Sequence, residues 1–141
     1  MDARVTLVRD FLDEVWSGGN INACASYLAP AYTIHHDPGD PWEGQTLNLA
    51  SFQNRALVSR APFPDQRFLV ERIFADGESV AVTWGWEATH AGDITGFPAT
   101  GKPVKMSGAT VYFLDNAMRI CGHWQIADRM GVFQQLQASR V

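Results

Sequence analysis

Apolar residues recur every three or four positions in the first third of the chain and every second position in its latter half. That change of period separates helices from strands. Val5, Val8, Phe11, Leu12, Val15 and Trp16 fall on one helical face before Gly18-Gly19, so the spacing predicts an amphipathic helix over residues 3–17. Asn20 or Asn22 can cap a short second helix carrying Ile21, Cys24, Ala25 and Leu28, which Pro30 closes. "AYTIHHDPGDPWEG" reads as a short strand running into a Pro/Gly/Asp turn, and Leu49, Phe52, Gln53, Ala56 and Leu57 restore the helical period until "RAPFPDQ".

From residue 66 onward the pattern is that of strands. "RFLVERIFA" and "SVAVTWGWEATH" flank Asp76-Gly77-Glu78, a hairpin signal. "KPVKMSGATVYFL" and "MRICGHWQIAD" follow, joined by a turn at Asp115-Asn116, and "RMGVFQQLQ" predicts a short terminal helix. Helices followed by a run of antiparallel strands define an α+β class, a single domain over residues 1–141 with a curved sheet wrapped around its N-terminal helices. A sheet curled in this way encloses a cone, and a cone is a ready-made small-molecule pocket.

Strand parity assigns side chains to that pocket. In the last strand Ile120, Gly122, Trp124, Ile126 and Asp128 form the more apolar set and are expected to face inward, which leaves His123 outside. Val80, Val82, Trp84 and Trp86 share an inward face that His90 joins if the strand extends so far, and Tyr112 and Leu114 share the parity of Thr110. His36 is expected inward with Tyr32 and Ile34.

Charge narrows the partners. A net charge of −4 with no basic run argues against nucleic acid, and no apolar stretch reaches bilayer length, so small molecules or other proteins remain; with the pocket, a small, largely apolar molecule is the expected partner. Charges throughout "MDARVTLVRDFLDEVW" break any signal-peptide core, and the expected compartment is the cytoplasm. Cys24 and Cys121 form no CxxC and read as buried thiols. His35, His36, Asp37 and Asp40 invite a metal reading, but adjacent strand residues point to opposite faces, so no metal site is expected.

Asp128 carries the chemistry that parity brings to the pocket. A carboxylate among aromatic side chains has its charged form disfavoured and becomes a general base near neutral pH. The same residue before "RMGVF" is also a good helix N-cap, and the residues alone leave both roles open. His90 can donate to a ligand carbonyl or order its own loop, and Trp16 can line the mouth or pack in the core.

"HAGDITGFPATGKPV", followed by "YFLDNAMRICGHWQIADRMGVFQQL", resembles the THxGxFxGxPPTGK, HWxxxD and RxGLxQQL segments of the SnoaL-like polyketide cyclases, or ester cyclases, of the NTF2-like superfamily. "HHDP" matches a further motif of that family near the pocket mouth. The resemblance implies an NTF2-like cone and intramolecular aldol ring closure without cofactor. It places the general base on Asp128. Parity and position in the chain add His90 as a second catalytic candidate and Trp16, His36, Trp84, Trp86, Tyr112 and Trp124 around the substrate. The resemblance also implies a homodimer or homotetramer. The apolar neighbours Ile126 and Leu114 keep two alternatives in view: another reaction of the same cone (isomerase, dehydratase or epoxide hydrolase), or a non-catalytic binding or dimerisation domain.

Overall fold

A computed structural model describes residues 2–139. The first helix, α1 (Ala3–Phe11), is capped by Asp2 and continues as a π-helical turn, Leu12–Ser17, which ends at Gly18-Gly19. After a 3-10 turn come α2 (Cys24–Tyr27), β1 (Leu28–His36), β2 (Thr46–Leu47) and α3 (Leu49–Arg60), whose N-cap Asn48 accepts from the Ser51 amide. Four long elements follow, β3 (Arg67–Asp76), β4 (Ser79–Thr89), β5 (Pro103–Leu114) and β6 (Ile120–Ala127), and then α4 (Arg129–Ala138).

The six strands form one curved sheet in the order β2-β1-β6-β5-β4-β3. All pairings are antiparallel except β1 with β6, which run parallel. Val8, Phe11, Leu12 and Val15 of the first helix and Phe52 and Ala56 of α3 pack onto the concave face, against Tyr32, Val80, Val82, Trp84 and Tyr112. The predicted elements are therefore present, with the hairpin turning at Gly77 (φ 57°) between Asp76 and Ser79.

The sheet departs from simple parity at β-bulges, where one strand carries an extra residue and its side chains change face. Leu114 pairs with Ile120 but Phe113 pairs with Gly122, so Cys121 is the extra residue in β6. Beyond it His123 lies opposite Tyr112 and Gln125 opposite Thr110, all on the concave side. A second irregularity sits in β1, where Ile34 pairs with His123 and His36 with Trp124, leaving His35 unmatched. His35 and His36 then both face outward and Asp37 turns in. The expected faces of β6 are thus reversed past Cys121: Trp124, Ile126 and Asp128 lie on the exposed side, and His123 is 3% exposed.

Candidate active site

The concave face and its helices enclose a cavity of about 500 Å³. Its walls are aromatic: Trp16 from the π-helical turn, Phe63 after α3, Phe68 from β3 and Trp84 and Trp86 from β4. Its polar groups gather at the β1–β6 end, where Tyr32, Asp40, Arg55, His123, Gln125 and Arg129 reach the lining.

Asp37 is the hub of that polar end. Its carboxylate is fully buried, and it accepts from His123 Nε2 at 2.9 Å, from an Arg129 guanidinium nitrogen at 2.6 Å and from Gln125 Nε2 at 3.2 and 3.3 Å. Arg55 stands 3.6 Å away and is itself held by Asp40 at 2.9 Å, over the faces of Trp16 and Phe52. Burial by itself pushes the Asp37 carboxyl up, but the hydrogen bonds from His123 and Arg129 outweigh it and hold the group below the usual carboxylate value. Asp37 is therefore ionised and accepts only.

That fixes the neighbouring proton. His123 must carry its hydrogen on Nε2 to donate to Asp37, so Nδ1 is the acceptor and takes the Tyr32 hydroxyl proton at 2.5 Å. Burial pushes the imidazole below its ordinary value against the opposing pull of the carboxylate, so His123 is neutral at pH 7. Tyr32 is held protonated, chiefly by burial, with its hydroxyl pKa well above the ordinary value. Tyr32, His123 and Asp37 form an ordered donor series from cavity wall to buried anion. Tyr112 stands beside His123, and its hydroxyl makes no hydrogen bond among the described residues.

Arg129 reaches Asp37 because two local features permit it. Asp128 caps α4 through the Gly131 amide at 2.9 Å, starting the helix at Arg129. Gly39, at φ 94°, leaves room for the arginine stem, since a Cβ there would lie 2.4 Å from Arg129 Cδ.

Of the residues expected from sequence, Trp16, Trp84, Trp86 and Tyr112 line the cavity. Four do not: the displacements of Asp128, His36 and Trp124 follow from the bulges, and His90 lies just past the end of β4. Asp128 is exposed on the outer side and serves as the N-cap, not as an inward carboxylate. His36 and Trp124 stack on each other outside the cone, with ring centroids 4.9 Å apart. His90 is fully buried but lies off the cavity wall, against Phe63, with Nδ1 3.2 Å from the Thr100 hydroxyl and Nε2 unpartnered. Sequence parity missed Asp37, Arg55, His123, Gln125 and Arg129. Gly122, a glycine inside a strand, was the available sign of the bulge that brings two of them in.

A curved sheet wrapped on its helices around an aromatic cavity defines a cone of the NTF2-like class. Residues 6–136 match the model of the SnoaL-like polyketide cyclases, and the chain belongs to that family. Its fold matches a candidate polyketide cyclase from Acidithiobacillus ferrooxidans at 53% identity and a TM-score of 0.94, over 99% of this chain and 98% of that one. IdmH of Streptomyces antibioticus, a candidate polyketide cyclase, shares the fold at 24% identity and a TM-score of 0.81, over 96% and 99% of the two chains. AclR of Streptomyces galilaeus, a candidate hydroxylase, shares it at 18% identity and 0.78, over 96% of each. No curated relative matches the chain. No helix among the described residues is long and apolar enough to cross a membrane, and no group of acidic, histidine or cysteine side chains among them is arranged to hold a metal ion.

Proposed function

We propose that this chain closes a ring in a largely apolar, polyketide-like ester by aldol chemistry, with the Tyr32–His123–Asp37 series as the proton acceptor. The observation that carries this reading is the tautomer enforced on His123 by the ionised Asp37, which turns a basic nitrogen toward Tyr32 and the cavity. A carbon acid held against Tyr32 gives its proton to the phenol oxygen as the phenol proton passes to His123 Nδ1. The resulting imidazolium is paired with the Asp37 carboxylate, and the substrate is left as an enolate that attacks a ketone elsewhere in its own chain; the alkoxide so formed takes a proton from Tyr32 as His123 returns its own to the phenol oxygen. Tyr112 is placed to donate to the enolate oxygen.

The aromatic walls supply the rest. They hold a flexible chain folded so that the enolate carbon meets its ketone, replacing a chance encounter by an oriented one. An acidified carbon and a shaped cavity suffice for this step without a cofactor. Asp128, the family's expected base, is assigned instead to holding α4, and through it Arg129, in place. Two copies are expected to meet across the outer sheet face, where Leu69, Phe74, Trp124 and Ile126 are 41–59% exposed.

The test is an aryl ester carrying an activated methylene and a ketone placed to close a six-membered ring. The proposal expects conversion to a cyclic isomer of unchanged mass, lost in Tyr32→Phe and His123→Gln. Binding without conversion by wild-type protein across such esters would leave the chain a binding domain.

A further inference from the structure

The hydrogen bonds on the far side of Asp37 have a direction of their own. The Trp84 indole N–H donates to the Thr110 hydroxyl at 2.9 Å, and an indole nitrogen can only donate. Thr110 Oγ1 therefore accepts from Trp84 and has its own proton to give, which goes to Gln125 Oε1 at 2.6 Å. With its oxygen turned to Thr110, the Gln125 carboxamide presents its NH2 group to both Asp37 oxygens. Gly108 makes the arrangement fit, because a Cβ at that position would lie 2.4 Å from the Trp84 ring.

We propose that Thr110 is a positioning residue: by fixing which end of the Gln125 carboxamide faces Asp37, it sets the charge on Asp37 and the proton on His123. Thr110 is 1% exposed and touches no part of the proton-accepting series directly. It acts through Gln125. Turned the other way, the carboxamide would set its oxygen against a carboxylate, and Asp37 would keep only Arg129 and His123 as close donors. An Asp37 less satisfied by Gln125 holds its charge more openly, and the imidazolium beside it becomes easier to form. The groups facing this pair are Tyr32 from β1, Tyr112 from β5, Arg55 from α3 and Arg129 from α4. Asp40 and Glu43 face it from the loop after β1, where Glu43 accepts from the Asp37 amide. None of them hydrogen-bonds to Thr110, whose hydroxyl bonds run to Trp84 and Gln125, so its link to the pair passes through Gln125.

This inference rests on the Tyr32–His123–Asp37 reading, but its test reads the free protein and needs no substrate. Nitrogen NMR of the His123 ring gives both tautomer and titration midpoint in wild type, Thr110→Val and Thr110→Ser. The expected result is a midpoint raised by roughly one pH unit in Thr110→Val and restored in Thr110→Ser, which keeps the hydroxyl. A folded Thr110→Val with unchanged His123 signals overturns the proposal, as does a Thr110→Ser that behaves like valine. Should the valine variant not fold, wild-type exchange decides: the Trp84 indole proton and the Gln125 NH2 protons must be protected from solvent. Gln125 protons that exchange as fast as those of an exposed carboxamide also overturn it.

Discussion

His123 gives its Nε2 proton to a fully buried Asp37 over 2.9 Å, and neither residue reaches the other by simple strand alternation. The bulge at Cys121 turns His123 inward, and the irregularity at His35 turns Asp37 to meet it. The pair exists because two strands each carry one residue more than their neighbour requires.

Breaking that pair from the carboxylate side leaves Arg129, and in part Arg55, without a buried counter-charge. Asp37→Asn is expected to lose about 3–5 kcal/mol of stability, since removing one partner of a buried charge network strands the other. Urea denaturation measures this loss directly.

Asp128 gives the contrasting result. Asparagine caps a helix almost as well as aspartate, so Asp128→Asn is expected to leave stability and turnover near wild type, while Asp128→Ala costs about 1 kcal/mol. Parallel melts and rate assays of the two variants check the assignment of this carboxylate as a cap.

The pH dependence of stability follows from the two depressed values. His123 is neutral in the fold with its pKa below the ordinary 6.5, so as pH falls the unfolded chain binds that proton first. Its contribution is fully present above about pH 6.5 and is lost as pH falls from there through the lower folded value. Asp37 adds a second loss at lower pH, present above the ordinary 3.8 and disappearing as pH falls through its own folded value. Denaturation midpoints across pH should show both declines in wild type and only the lower one in His123→Gln. Turnover should likewise rise with pH to a plateau, its midpoint below 6.5.

Much of the architecture was legible in the sequence because periodicity reports on burial over whole elements. The run from Val5 to Trp16, the Asp-Gly hairpin and the inward set Val80, Val82, Trp84 and Trp86 all follow from spacing, and so does the aromatic half of the cavity. The polar half did not follow, because a single extra residue reverses every face beyond it. Ile120 is inward as parity expects, but three residues later the same rule selects Trp124 over His123. Arg55 and Arg129 were invisible for another reason. The burial of Arg55 and the inward turn of Arg129 depend on Asp37 and Asp40, which are not their neighbours in the chain, and a charged side chain is read as exposed until its partner is known.

Met118 offers a test independent of the site. It holds φ 58° in the turn between β5 and β6, a conformation that favours glycine. Met118→Gly is expected to raise stability by up to about 1 kcal/mol, the relief of strain exceeding the entropy added to the unfolded chain. A thermal melt reads the sign.

The proton acceptor is expected at Tyr32 and His123, inside the cavity. Its most direct test is deuterium incorporation from D2O into the α-carbon of a bicyclic aryl ketone such as tetralone, followed by mass spectrometry for wild type, His123→Gln and Asp128→Asn. Exchange is expected at the wild-type rate in Asp128→Asn, with a loss of roughly 10²-fold or more in His123→Gln. Exchange that survives in His123→Gln and vanishes in Asp128→Asn would contradict this assignment.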